Sequence, residues 1–131
     1  MLYVDITNTK IDVEKLYYNF YKTLSDTTGT ILIHHGKAKY PGKYVKNYSY
    51  IELYLKDENA LQKLTEFSQK IYKRYNLNKL FVIHQLGRIS KNDTILFLAA
   101  EAKDRNSAFK AVSSILEEIK DESLIGLKEL E

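Results

Sequence analysis

The residues of this sequence best equipped for chemistry are cations that could hold an anion. Arg105 stands where an apolar segment gives way to the helical stretch "DRNSAFKAVSSILEEIK". A helix start exposes unpaired backbone N–H groups and a partial positive charge, so an arginine there can hold a phosphate or carboxylate through charge-assisted hydrogen bonds. Asp104, directly before it, argues the other way, because an aspartate at the N-cap satisfies those donors with its own carboxylate. Capping is the commoner role. Lys120, near the far end of the same stretch, and Lys128 in the tail would exchange protons only if crowded by other cations, which lowers an ammonium's pKa; surface lysines are far commoner, and sequence alone leaves both unremarkable.

A third group of cations lies in "GKAKYPGKYVKNYSY", where Lys37, Lys39, Lys43 and Lys46 occur without an acid. From Glu117 onward six acids face two lysines. That split suits a basic patch toward an anion and an acidic surface elsewhere, although a solvated loop gives the same pattern. Tyrosines interleaved with lysines could also stack bases while the ammonium groups hold phosphates. A net charge of only +3 lacks the basicity of most nucleic-acid binders, and no nucleic-acid partner is expected.

Other chemistries find little support. His34 and His35 are neighbours on a strand-like run and should point to opposite faces, and His84 lies on another run, so a shared metal ion is not expected. There is no cysteine, which removes disulfides, thiolate ligands and thiol nucleophiles. The five glycines are dispersed and form no phosphate-cradling or nucleophile-elbow spacing. No cofactor is expected.

These side chains need elements to hold them. A chain of 131 residues, 44% apolar, suits one domain over residues 1–131. "LYVDI" alternates as a strand, and Val13, Leu16, Tyr17, Phe20 and Leu24 recur at helical spacing behind Asp12 as N-cap. "GTILIHH" and the Tyr-rich segment 44–55 read as strands around the loop marked by Pro41 and Gly42. Asp57 is placed to cap a second helix with Leu61, Leu64, Ser68, Ile71 and Tyr75 on one face. "KLFVIH" and "DTILFLAAEA" read as paired strands, and the third helix is expected to present Phe109, Val112, Leu116 and Ile119 to the core. The order β, α, β, β, α, β, β, α and a tail predicts an α+β fold, helices on a mainly antiparallel sheet. The N-terminus has no uninterrupted apolar run, so neither a signal peptide nor a membrane span is expected.

Taken in order, the segments resemble the large, catalytic subunit of molybdopterin synthase over nearly the whole chain. "VDITNTKIDVEKL" is similar to that family's opening strand and helix, and "GTILIHHGKAK" to its "GAvvxFxGxVR", with Lys39 where the family has arginine. "HQLGRI" resembles "HRxGxL", and "DRNSAFKAVSSILEEIK" resembles "HRxxAFxAxxxxIDxLK", matching at Arg105, Ala108, Phe109, Ala111 and Lys120. "LIGLKELE" stands against "PIWKKE", with Gly126 for the tryptophan and Leu127 for the first lysine.

The resemblance implies an α/β hammerhead fold and a cytoplasmic homodimer. Such a dimer binds two small ubiquitin-like sulfur-carrier subunits ending in Gly-Gly, making a heterotetramer. The carrier's C-terminal thiocarboxylate would then give sulfur to cyclic pyranopterin monophosphate, forming the dithiolene of molybdopterin in molybdenum cofactor biosynthesis. Lys120 would act as general acid/base, Arg105 and Lys39 would neutralise the substrate, and Lys128 would replace the lysine lost at Leu127 if the tail shifts by one residue. Asp104, where the family has histidine, sets a negative charge beside an anionic substrate. Together with the altered tail it implies, as the alternative, a catalytically weakened homologue that binds a carrier or another partner.

Overall fold

The computed structural model describes residues 1–131. Ten elements follow one another: β1 (Leu2–Thr7), α1 (Val13–Tyr21), β2 (Thr30–Lys37), β3 (Tyr50–Leu55), α2 (Ala60–Arg74), β4 (Lys79–Gln85), β5 (Gly87–Ile89), β6 (Thr94–Ala102), α3 (Arg105–Lys120) and β7 (Ile125–Leu130). They form a four-stranded sheet in the order β1-β4-β6-β2 and a three-stranded sheet in the order β5-β3-β7. Only the β1–β4 pair is parallel. The architecture is α+β with antiparallel pairing dominant, as the alternation of patterns predicts. No helix is long and apolar enough to cross a membrane.

Helices cover both faces of the larger sheet, which explains why β4 and β6 are nearly continuous apolar runs. Leu80, Val82, Leu96, Leu98, Ala100 and Ala102 face α2 and α3, while Phe81, Ile83, Phe97 and Ala99 face α1 through Phe20 and Ile11. The alternation follows from the two-residue period of a strand. Asp12 caps α1, accepting from the Lys15 N–H at 3.1 Å. A smaller core of Ala38, Tyr48, Ile51, Leu53 and Ile89 lies under the second sheet.

Four local expectations are corrected. Segment 44–55 is strand only from Tyr50; the residues before it form a loop, since only Val45 and Tyr48 of them reach the small core. The linker after β4 contains β5, whose three residues pair with β3, and the charged tail becomes β7 on the other side of β3. Asp57 lies one turn ahead of α2: its carboxylate accepts from the Asn59 N–H at 2.8 Å and pairs with Lys63, while Asn59 takes the N-cap position. The buried face of α3 is Ala108, Ala111, Val112 and Ile115, and Phe109 is 59% exposed. Two alanines let that helix lie close to the sheet, a fit that larger side chains would overpack by about 1–3 kcal/mol.

Position 126 is equally tight. A Cβ on Gly126 would collide with the ring of Tyr54, its cross-strand partner on β3.

Candidate functional site

The sheets meet at a cavity of about 490 Å³. The end of β2 and the loop after it contribute Lys37, Lys39 and Lys43; α3 contributes Lys120 from its last turn; β7 contributes Leu127 and Glu129. Ile51 and Ile95 form an apolar floor. Four lysines therefore line one hollow together with two acids, Glu122 and Glu129.

The loop that carries these lysines is held by specific bonds. Glu129 accepts backbone N–H bonds from Lys43 at 2.8 Å, from Tyr44, and from Val45 at 2.8 Å. Burial pushes the Glu129 carboxyl up, but the three N–H donors outweigh it and hold the group below the usual carboxylate range. Glu129 thus remains an anion committed to the loop. Tyr48 donates its hydroxyl to the Lys39 carbonyl at 2.7 Å, and Gly42 N–H bonds to the Lys46 carbonyl at 3.1 Å, closing a turn that starts at a cis Tyr40–Pro41 bond.

The cations differ in how far they are already engaged. Lys37 Nζ donates to Asn92 Oδ1 at 2.8 Å. Lys43 Nζ stands over the Tyr44 ring, 5.2 Å from its centroid. Lys39 and Lys120 have exposed side chains and form no salt bridge, which leaves their donors free for a ligand.

The structure brings Lys39 and Lys120 together and separates the other candidates from them. Arg105 is exposed at the opposite end of α3, about 22 Å away by the rise of a helix of this length. Asp104 is the N-cap: its carboxylate accepts from Ser107 N–H at 2.8 Å and Ser107 Oγ at 3.1 Å, and the backbone donor holds it below the ordinary range. Lys128 lies outside the cavity wall, opposite Glu52 of β3, because adjacent strand residues face opposite sides. The residue of β7 that enters the wall there is Leu127. Sequence reasoning put Lys43 in the basic stretch without assigning it to the site, and missed Glu129. The local excess of lysine was the signal for the first, and nothing local to Glu129 reveals its bonds to a loop some eighty positions earlier.

Of the histidines, His35 Nε2 lies 2.6 Å from Thr94 Oγ1. His84 is buried, and burial pushes it down from its ordinary value against the opposing bond from Nδ1 to the Gln85 carbonyl.

Comparison with known proteins adds independent information. A molybdopterin synthase catalytic subunit of Sclerotinia sclerotiorum is 25% identical over 129 residues, covering 97% of this chain and 63% of that protein. One from Pyrococcus abyssi is 28% identical over 98 residues, 73% of this chain and 64% of the other. The chain thus spans somewhat under two thirds of those relatives' length. Among solved structures, the molybdopterin synthase of Staphylococcus aureus superposes with a TM-score of 0.80 at 24% identity, covering 95% of this chain and 88% of the other. The complex of subunits 1 and 2 of the molybdopterin-converting factor of Helicobacter pylori contains a chain that superposes at 0.79 with 13% identity, covering 96% and 83%. Similarity at that level speaks for a shared fold. The family model described as "MoaE protein" matches residues 6–122, and a match over so much of the sequence makes the chain a member of the MoaE family.

Proposed function

We propose that this chain is the catalytic subunit of a molybdopterin synthase, taking sulfur from a thiocarboxylated carrier tail and giving it to cyclic pyranopterin monophosphate. The observation that carries the reading is the cavity in which Lys39 and Lys120, matched independently to the family's pattern, come together with two further lysines. Such a hollow suits the chemistry. The substrate carries a phosphate, the incoming tail a thiocarboxylate, and the spent tail a carboxylate, so negative charge must be neutralised at every stage. Lys120 would hold the tail and exchange the proton, and Lys39 would bind the phosphate. A cytoplasmic setting goes with this reading.

Arg105 joins that site only through a second copy of the chain. β2 is an edge strand with one side unpaired. Its Thr30 end adjoins the start of α3, where Gly29 N–H bonds to the Ala102 carbonyl at 2.9 Å, and its Lys37 end adjoins the cavity. Antiparallel pairing of β2 with its own copy would carry each Arg105 along the eight-residue strand, roughly 25 Å, to the other subunit's cavity. Leu32, Ile33, Phe109, Val112 and Leu116 line a groove beside this edge, which such a dimer would cover.

The test supplies purified protein with a thiocarboxylated carrier and cyclic pyranopterin monophosphate and follows dithiolene formation. Turnover supports the reading and its absence overturns it. Arg105→Ala and Lys120→Ala should each be inactive alone, while mixing them should restore about a quarter of wild-type activity, because half the dimers then hold one intact composite site. Failure of the mixture to recover removes the shared site.

A second reading, that the chain binds a carrier without efficient transfer, draws on Leu127 in the cavity wall and on Asp104, whose carboxylate already occupies the α3 donors. Recovery of turnover by Asp104→His with Leu127→Lys would favour it. Robust wild-type turnover would dismiss it.

A further inference from the structure

We propose that Lys43 is a further ligand-binding residue of the cavity, supplying from the loop the ammonium that β7 does not supply at Leu127. The inference deepens the proposed function and rests on it for the identity of the anion.

Leu127 and Glu129 are two residues apart on a strand and so face the same side, into the cavity. Leu127 offers no charge, and Glu129 has its oxygens turned to three backbone donors. One of those donors is the N–H of Lys43 itself, at 2.8 Å. The bond ties the Lys43 main chain to the same face of the same strand, next to the apolar place at Leu127. The side chain lines the cavity, and its ammonium has no carboxylate partner; its neighbour is the Tyr44 ring. An aromatic face is a weak partner for a cation in water, worth about half a kcal/mol to one at an exposed site, so an arriving anion displaces it readily. Lys37 does not fit the same role, since its ammonium is already bonded to Asn92 at 2.8 Å.

Glu129 serves this arrangement twice. Its oxygens are bonded to the backbone of the loop; the Lys43 charge acts on the carboxylate from nearby, but the two groups form no ion pair. The result is a lysine with a fixed root and a free head, a form suited to following an anion that enters and leaves.

The experiment measures equilibrium binding of cyclic pyranopterin monophosphate to the protein by calorimetry, without carrier, for wild type and for Lys43→Ala, Lys43→Arg, Lys128→Ala, Lys39→Ala and Lys43→Ala combined with Leu127→Lys. Loss of one charge-assisted hydrogen bond should weaken binding about tenfold in Lys43→Ala. Lys43→Arg should retain most of the affinity, Lys128→Ala, outside the cavity, should stay within about twofold, and Leu127→Lys should restore binding to the Lys43→Ala protein. That rescue separates a lost charge from a disturbed loop. Unchanged binding in Lys43→Ala alongside weakened binding in Lys39→Ala overturns the role of Lys43 and leaves the proposed function standing. A wild-type protein that does not bind the probe overturns both.

Discussion

Two groups of charged side chains converge in this molecule, one at the end of the four-stranded sheet and one in the cavity between the sheets. In the first, Lys79 and Glu101 stand opposite each other on β4 and β6 with side chains 4% and 1% exposed. Lys79 Nζ donates to the Phe20 carbonyl at 2.8 Å and to both the carbonyl and hydroxyl of Thr23, and lies 3.4 Å from Glu101. Glu101 accepts from Ser25 N–H at 2.8 Å and from the Thr28 hydroxyl. In the second, none of the four lysines is paired with an acid and the one bound carboxylate faces the backbone. In the buried pair every Lys79 donor is used, Glu101 Oε1 keeps only the 3.4 Å ion pair, and the pair ties the loop after α1 to the sheet. The cavity is charged and unsaturated, and that spare donor capacity rather than the number of charges distinguishes a place for a ligand from a structural clasp.

The contrast is broken most severely at Lys120. Lys120→Ala should reduce dithiolene formation by about a hundredfold to ten-thousandfold, the usual span for a general acid/base, while its melting temperature stays near wild type. A large loss of stability instead would make the cavity lysine structural. Glu101→Ala should do the reverse. It strands a buried ammonium and should cost about 3 kcal/mol or more in denaturant unfolding, with turnover per folded molecule unchanged.

A sharper form of the same test uses pH. Burial pushes Glu101 up, but bonds from Thr28, Ser25 and Lys79 outweigh it and leave the group lowered from its ordinary 4.5. Its contribution to stability is therefore complete above that ordinary value and lost as pH falls through the lower, folded one. Urea midpoints should drop on acidification through that range in wild type and respond less in Glu101→Gln. Glu129→Gln is expected to act on the cavity, loosening the loop and raising the KM for the pterin several-fold with a smaller effect on kcat. The smallest effect belongs to Lys128→Ala, where turnover should change by less than about twofold because the side chain is an exposed surface group outside the cavity. A large loss there would return Lys128 to the site.

Much of this arrangement is legible in the sequence wherever the cause is local. Asp12 and Asp104 read as N-caps because the bond involved spans three residues. The runs of β4 and β6 read as strands because both faces are covered by apolar contacts. β5 and β7 have no such signal: the first is three residues long and the second is one third charged with a glycine inside it, and both exist because β3 offers them free edges. The α3 face was shifted by the size of Phe109, whereas the small Ala108 and Ala111 determine how closely the helix approaches. Lys39 and Lys120 could be matched to a family pattern, yet their meeting depends on how the β2 end, the loop and the last turn of α3 come together, which no local pattern encodes.

The ring of Tyr54 lying over Gly126 has a consequence for anyone redesigning the tail. Positions 54 and 126 are coupled: a side chain at 126 requires the exposed outer end of the Tyr54 ring to swing aside. A library randomised at both positions should return larger residues at 126 more often than one randomised at 126 alone, with small residues on β3 accompanying them.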